Sequence, residues 1–125
     1  MIKFTIPFRL PSLNDYIEKI NHNKYAGNKF KQDTENDIIW ILKSVKGRVT
    51  SPVNVKFTWY EQTKRRDKDN VMSAKKFIFD ALQKAGILPN DNNKYINKIT
   101  EEIIYKQGDK VEVEIWEVNN EVSIL

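Results

Sequence analysis

Two aspartates separated by one residue, with cations on either side, form the part of this chain with the most distinctive chemistry. They lie in the segment Arg65-Arg66-Asp67-Lys68-Asp69-Asn70. If this segment is extended, Asp67 and Asp69 project to the same side, where their charges repel unless a cation neutralises them. Mg²⁺ favours such oxygens, together with waters and substrate phosphates. We therefore expect a metal site here, and the simpler alternative is a solvated charged turn.

The cations around this segment suit a phosphate partner. Arg65 and Arg66 could each bind a phosphate through two parallel N–H donors, and Lys64 adds a further charge. The whole chain has a formal net charge of +4, with its basic residues concentrated in the middle and an acidic C-terminal stretch. A basic region around a metal site favours a nucleic acid over a small anion, and ordinary surface lysines are the alternative.

Length and composition predict one domain spanning residues 1–125. The chain has no cysteine, which excludes disulfides, zinc–thiolate sites and a thiol nucleophile. The first residues lack the apolar core of a signal peptide, and no apolar run approaches the length of a membrane span. We therefore expect a cytoplasmic protein.

Hydrophobic periodicity predicts the element order β-α-α-β-α-β-β. The predicted elements are a strand at Met1–Pro7, a helix at 12–20, a helix at Asp33–Lys46, a strand at Val53–Tyr60, a helix at Val71–Lys84 and a hairpin of Tyr95–Tyr105 with Val111–Val118. The polar segment Asn21–Gln32 is predicted to be a mobile loop, and the tail Asn119–Leu125 has a weak pattern. The order is typical of a single-domain α+β fold, with helices packed on a mixed sheet of about four strands.

This order places the two aspartates where a strand leads into a helix. Asp69 or Asn70 would cap that helix, whose free N–H groups favour bound phosphate. Asp91, in the turn after the helix, is a candidate third carboxylate. Whether it returns to the pair depends on the sheet order, and a local turn role is the alternative.

Three ordered motifs resemble the RusA family of Holliday junction resolvases, which are small bacterial endonucleases associated with phages and prophages. The motifs are Leu10-Pro11-Ser12-Leu13-Asn14-Asp15-Tyr16, Arg66-Asp67-Lys68-Asp69-Asn70, and Phe79-Asp80-Ala81-Leu82-Gln83-Lys84-Ala85-Gly86 followed by Asn90-Asp91. The similarity extends from the first strand to the final predicted hairpin. It implies a RusA-like fold and a homodimer that binds four-way junction DNA and makes two symmetric nicks in recombination and repair.

The resemblance also implies site residues. Asp67, Asp69 and Asp91 would bind Mg²⁺ or Mn²⁺, with no small-molecule cofactor. The family has a lysine early in the following helix that supports phosphate chemistry. Counting back from Asp80 points to Lys76, with Lys75 as the alternative, whereas counting forward from Asp69 gives a serine.

Further residues have structural and functional interpretations. Asn14 and Tyr16, which match the family's N-terminal motif, would line the site or the DNA surface, and a turn or cap role is the alternative for Asn14. Asn70 would cap a helix and contact phosphate or metal-bound water. Asp80 would face outward or pair one turn away with Lys76 or Lys84. The remaining cases are a solvated His22 and three tryptophans placed in the core or at a dimer interface, namely Trp40, Trp59 and Trp116.

Three functions remain open from the sequence. The first is a metal-dependent endonuclease that resolves four-way junctions. The second is a branched-DNA-binding protein without cleavage, although three acids near DNA would be repulsive without a cation. The third is a nuclease for flaps or other branched DNA.

Overall fold

A computed structural model describes residues 1–118, which form four strands and four helical segments. In chain order these are β1 Ile2–Ile6, α1 Leu13–His22, α2 Lys24–Leu42, β2 Val53–Glu61, α3 Lys68–Met72, α4 Lys75–Lys84, β3 Ile96–Tyr105 and β4 Lys110–Glu117. With α3 and α4 taken as two parts of the third predicted helix, the predicted order β-α-α-β-α-β-β is confirmed. The α+β fold with a four-stranded mixed sheet is confirmed as well. The predicted tail Asn119–Leu125 lies outside the described residues.

The sheet has the strand order β1-β4-β2-β3. β4 runs antiparallel to both of its neighbours, while β3 runs parallel to β2. The alternation in β1 buries Ile2, Phe4 and Ile6, as predicted. The long strand β2 is buried more completely than its alternation indicates, because it has a neighbour on each side.

The predicted hairpin of the last two strands is wrong. β2 lies between β3 and β4, so the connection between them passes across the end of β2 instead of forming a tight turn. Two hydrogen bonds hold this crossing: Lys106 N–H donates to the Glu61 carbonyl, and Gln62 N–H donates to the Asp109 carboxylate. The short polar connection predicted a local pairing, but long-range pairing with β2 prevails.

The core lies between one face of the sheet and helices α2 and α4. Phe57 of β2 packs edge-to-face on Phe79 of α4, with ring centroids 5.5 Å apart. Ile38 and Leu42 of α2 are also buried in this core. Packing in this core fixes the position of α4, whose first two residues are the candidate lysines Lys75 and Lys76.

The predicted mobile loop Asn21–Gln32 is also wrong, because this segment is helical. Asn23 separates α1 from α2 and caps α2, its side-chain Oδ1 accepting hydrogen bonds from the backbone N–H groups of Tyr25 and Ala26. Gly27 packs directly on Ile20 of α1, which lets the two helices approach closely. The segment is polar because one side of an exposed helix faces water, and this weakens its apolar stripe. At the other end α2 stops at Leu42, before the predicted Lys46.

The predicted helix Val71–Lys84 is interrupted after Met72. Ser73 Oγ donates to the carbonyl of Asn70 and accepts the N–H of Leu13, so its side chain links this break to the start of α1. The N-cap position is Asp67, and Asn70 lies inside α3, which corrects the predicted capping by Asp69 or Asn70. Within residues 1–118, no helix is both long and apolar enough to cross a membrane.

Candidate metal and phosphate site

Asp67 and Asp69 lie at the start of α3 and not on one side of an extended segment. Asp67 has extended backbone angles (φ −61°, ψ 150°), whereas Asp69 is in the first helical turn. The same-face argument for their spacing therefore fails. Both side chains are exposed, and within residues 1–118 neither carboxylate has a hydrogen-bond or ion-pair partner. Two free carboxylates beside several cations are available to an added ligand.

Arg66 anchors this segment to the sheet. Its Nε and Nη2 atoms donate to the two carboxylate oxygens of Glu61 at 3.0 and 2.9 Å, and its Nη1 atom donates to the Leu10 carbonyl at 3.0 Å. The Arg66 side chain is only 15% exposed. The structure thus places the guanidinium in an internal ion pair, where it positions the aspartates, and not on the surface where we expected a phosphate contact.

The other basic residues of the segment remain on the surface. Arg65 and Lys68 are exposed, and within the described residues their side chains have no partner. Lys64 is also exposed, with its ammonium 5.1 Å from the centre of the Tyr105 ring. These three cations surround Asp67 and Asp69 in sequence and can reach a phosphate backbone without breaking an internal ion pair.

The N-terminal motif contacts the aspartate segment. The Asn14 amide donates to Asn70 Oδ1 at 2.7 Å, across 56 positions of sequence. Ser12 begins α1 with a capping box shared with Asp15, and this fixes Asn14 in the first turn. Tyr16 packs edge-to-face on Phe77, the third residue of α4. Asn14 and Asn70 are therefore neighbours, while the Tyr16 ring lies against the helix that carries Lys76.

Lys76 and Asp91 are brought together by the turn after α4. Lys76 Nζ lies 3.3 Å from Asp91 Oδ2 and 3.2 Å from Asp80 Oδ1. Partial burial lowers the pKa of Lys76, but hydrogen bonds and charges of Asp80 and Asp91 outweigh it and raise the pKa above its ordinary value. Lys76 is thus a cation at neutral pH. The predicted pairing of Asp80 with Lys76 is confirmed, although Asp80 is only 15% exposed and does not face outward.

Lys75 has a different environment from Lys76. Its Nζ atom lies 2.9 Å from Glu101 Oε1 on β3, without hydrogen-bond alignment, and its side chain is 34% exposed against 52% for Lys76. Lys75 thus links the start of α4 to the sheet. Of the two candidate lysines, Lys76 is the more exposed and is the one beside Asp91.

Local sequence patterns did not indicate a buried glutamate that is linked to Lys76 through other charges. Glu35 of α2 is 1% exposed and pairs with Lys31 at 3.3 Å and with Lys84 at 2.9 Å. Lys31 also lies 3.5 Å from Asp80, so alternating charges connect α2 to Lys76 and Asp91. The spacing of Lys31 and Glu35 is a helical ion-pair signal, but the predicted loop concealed it.

The remaining residues noted in the sequence are His22 and the three tryptophans. His22 is exposed in the last turn of α1, as predicted. Trp59 is buried in the core, also as predicted. Trp40 is 72% exposed, which rules out a core position, and its ring lies 4.7 Å from the Lys43 ammonium. Trp116 is half-buried.

The donor set suits a hard divalent cation that keeps part of its hydration shell. Within residues 1–118, no group of three carboxylate or imidazole side chains is arranged to hold a metal ion. Asp67 and Asp69 nevertheless offer unpaired carboxylate oxygens, whereas Asp91 is paired with Lys76. Mg²⁺ commonly binds through one or two carboxylates, with waters and substrate phosphates filling its octahedron. The free aspartates fit that mode, and Asp91 as a third ligand remains a prediction.

No protein-family model matches the chain, and no curated protein matches it significantly. The resemblance to the RusA resolvases therefore rests on the three motifs themselves.

Proposed function

We propose that this protein is a Mg²⁺-dependent, structure-specific endodeoxyribonuclease that acts as a homodimer and resolves four-way DNA junctions. The observation that carries the proposal is the contact between Lys76 and Asp91, which are 15 positions apart and belong to two different predicted parts of the site. The link of Asn14 to Asn70 supports it, because it joins the N-terminal motif to the aspartate segment.

The free aspartates would hold the metal. Asp67 and Asp69 present unpaired oxygens at the start of a helix, and Asp91 would join them if the ion draws it from Lys76. When bound, Mg²⁺ would supply a water of lowered pKa and neutralise charge at the scissile phosphate. The ion pair of Arg66 with Glu61 would keep the aspartate segment in place while the substrate binds.

Lys76 would stabilise the negative charge that develops on the phosphate. It remains protonated at neutral pH because Asp80 and Asp91 raise its pKa, so it acts as a fixed positive charge and not as a base. Asp80 would hold Lys76 in place if Asp91 turns towards a metal ion. Lys75 is held by Glu101 and would contribute positive potential beside the phosphate.

DNA would be bound chiefly through its phosphates. Lys64, Arg65 and Lys68 are exposed and lie within three positions of a free aspartate in the sequence, and Asn14 is hydrogen-bonded to Asn70 inside α3. Contacts of this kind position a backbone without reading bases, which suits selection by branch shape. Binding should therefore weaken steeply as the salt concentration rises.

The test is the nicking of a synthetic four-way junction and a matched linear duplex, with Mg²⁺ and with EDTA. The wild type is compared with Asp67→Asn and with the control Asp37→Asn, which changes an exposed aspartate of α2 that has no partner among residues 1–118. We expect paired symmetric cuts only with junction and Mg²⁺, abolished by Asp67→Asn and retained by Asp37→Asn. Junction binding by Asp67→Asn should be equal to or tighter than that of the wild type.

Two results would replace this proposal by the other functions. Tight junction binding without cuts under any divalent metal would indicate a binding protein without catalysis. Faster cutting of a flap than of a four-way junction would indicate a nuclease for other branched DNA. Joint loss of folding and binding in Asp67→Asn would indicate that Asp67 is structural.

A further inference from the structure

β3 forms a long edge of the sheet. It is 10 residues long and pairs with β2 along one side, and within residues 1–118 no strand pairs with its other side. The opposite edge, β1, has only 5 residues. A long edge presents a row of backbone donors and acceptors that can accept another strand.

Apolar side chains on β3 are less covered than their neighbours on β2. Ile99 lies beside Val55 in the register and is 42% exposed, whereas Val55 is 1% exposed. Ile103, beside the buried Trp59, is half-buried. The core therefore ends at β3, and the apolar surface continues to the edge.

The charges of β3 are self-complementary in one antiparallel register. When two copies of the strand pair about a two-fold axis at Thr100, Lys98 of each copy lies opposite Glu102 of the other. An axis at Glu101 or at Glu102 would instead place that glutamate against itself. Glu102 is 54% exposed and lies 3.7 Å from Lys56, while Lys98 is exposed without an ion-pair partner among the described residues.

We propose that the free edge of β3 is a homodimer interface, in which two copies pair antiparallel about Thr100. The two four-stranded sheets would then join into one continuous sheet, with the helices of both copies on the same face. Lys75 contacts Glu101, the neighbour of Thr100, so the two α4 helices would begin on either side of the axis. The inference rests on the homodimer of the proposed function and names the surface through which it would form.

Charge reversal tests both the surface and the register. The oligomeric state of the wild type, Lys98→Glu, Glu102→Lys and the double variant Lys98→Glu/Glu102→Lys is measured by sedimentation equilibrium over a range of concentrations. Each single change creates like charges at two symmetric contacts, and we expect the dimer dissociation constant to rise by about tenfold or more. The double variant restores opposite charges and should return the constant to near its wild-type value.

A matched control reverses a charge at the other edge. Lys3→Glu changes a surface lysine of β1, which is paired with Glu114 at 3.5 Å, and should leave dimerisation unchanged. Circular dichroism establishes that every variant is folded. A wild type that is monomeric at all concentrations would overturn the proposal, as would a dimer that neither single variant weakens. A double variant as weak as the singles would overturn the register about Thr100. None of these readouts uses nuclease activity. A dimer that neither single variant weakens would overturn the interface and leave the proposed homodimeric nuclease intact, whereas a dimer through β3 that cuts no junction would overturn the proposed function alone.

Discussion

Asp80 lies one helical turn after Lys76 on α4, with its Oδ1 atom 3.2 Å from the lysine Nζ atom, while its other carboxylate oxygen lies 3.5 Å from Lys31 of α2. A single carboxylate therefore holds the candidate phosphate lysine and ties it to a second helix. Behind it, the buried Glu35 holds Lys31 from the other side. Lys76 is in this way positioned by groups outside the aspartate motif.

Replacing Asp80 by Asn should slow cleavage without weakening junction binding. The amide cannot hold the Lys76 ammonium as strongly, so its position over the phosphate becomes less defined, and kcat should fall by about tenfold. The dissociation constant for the junction should change by less than about twofold, since the Asp80 side chain is only 15% exposed and, as an acid, would not bind a phosphate. Single-turnover cleavage and a binding titration measure the two quantities separately.

Asp33→Asn is the control for Asp80→Asn. It removes an ion pair of the same helical spacing, between Lys29 and Asp33 at 3.0 Å, on the exposed side of α2. Cleavage and binding should both remain at wild-type values. An unchanged kcat in Asp80→Asn, or an equal loss in both variants, would contradict the positioning role of Asp80.

Ion pairs of Asp80 also predict a pH dependence of stability. Partial burial lowers the pKa values of Lys31 and Lys76, but their carboxylate partners outweigh this and raise both above the ordinary value of 10.5. A lysine whose pKa is raised in the folded state binds its proton more tightly there than in the unfolded chain. Its stabilising contribution is therefore fully present below the unfolded pKa, near 10.5, and is lost as the pH rises through the folded pKa.

Thermal unfolding at a series of pH values above 8 measures this effect. The wild type should lose stability through the alkaline range, and Asp80→Asn should lose less, because one shared cause of the raised pKa values has been removed. Asp37→Asn serves as the comparison here, since Asp37 is exposed and has no ion-pair partner among residues 1–118, whereas Asp33 itself raises the pKa of Lys29. Parallel curves for wild type and Asp80→Asn would show that Asp80 is not a source of the alkaline dependence.

Close packing of α1 on α2 gives a third prediction. A Cβ atom added to Gly27 would lie 2.8 Å from the Ile20 Cα atom, so a backbone would have to move. Gly27→Ala should therefore lower the free energy of unfolding by about 1–3 kcal/mol, despite the higher helix propensity of alanine. Asn28→Ala, an exposed change in the same helix, should have an effect within about 0.5 kcal/mol. Equal urea midpoints for the two variants would contradict the close contact.

Local hydrophobic patterns predict correctly those elements that have one buried face and one exposed face. The alternation of Ile2, Phe4 and Ile6 was sufficient for β1, because one face of that strand meets the core. The start of α2 was missed because its surface is polar, and its evidence is the packing of Gly27 on Ile20 of α1, which hydrophobic periodicity does not reveal. The insertion of β2 between β3 and β4 likewise depends on long-range pairing, which a short polar connection does not reveal.

At the candidate site, too, the local sequence indicates which residues matter, but only the fold shows which of them are in contact. The sequence singled out Lys76 and Asp91, but only the fold shows that the turn after α4 returns one to the other. The role of Arg66 depends on Glu61, five residues before it, and on the Leu10 carbonyl. Its charge alone indicated a phosphate contact, because nothing in the local sequence shows that the guanidinium is occupied.

Removing the Arg66 guanidinium should therefore destabilise the protein. Arg66→Ala leaves Glu61 largely buried without its partner and also frees the Leu10 carbonyl, so the free energy of unfolding should fall by about 2–4 kcal/mol. Lys110→Ala is the matched control, since it removes a more exposed pair with Glu112 at 3.6 Å and should cost about 0–1 kcal/mol. Urea denaturation of both variants measures the difference. Full stability of Arg66→Ala together with a loss of junction binding would instead place the guanidinium on the DNA, because a structural ion pair cannot be removed without a loss of stability.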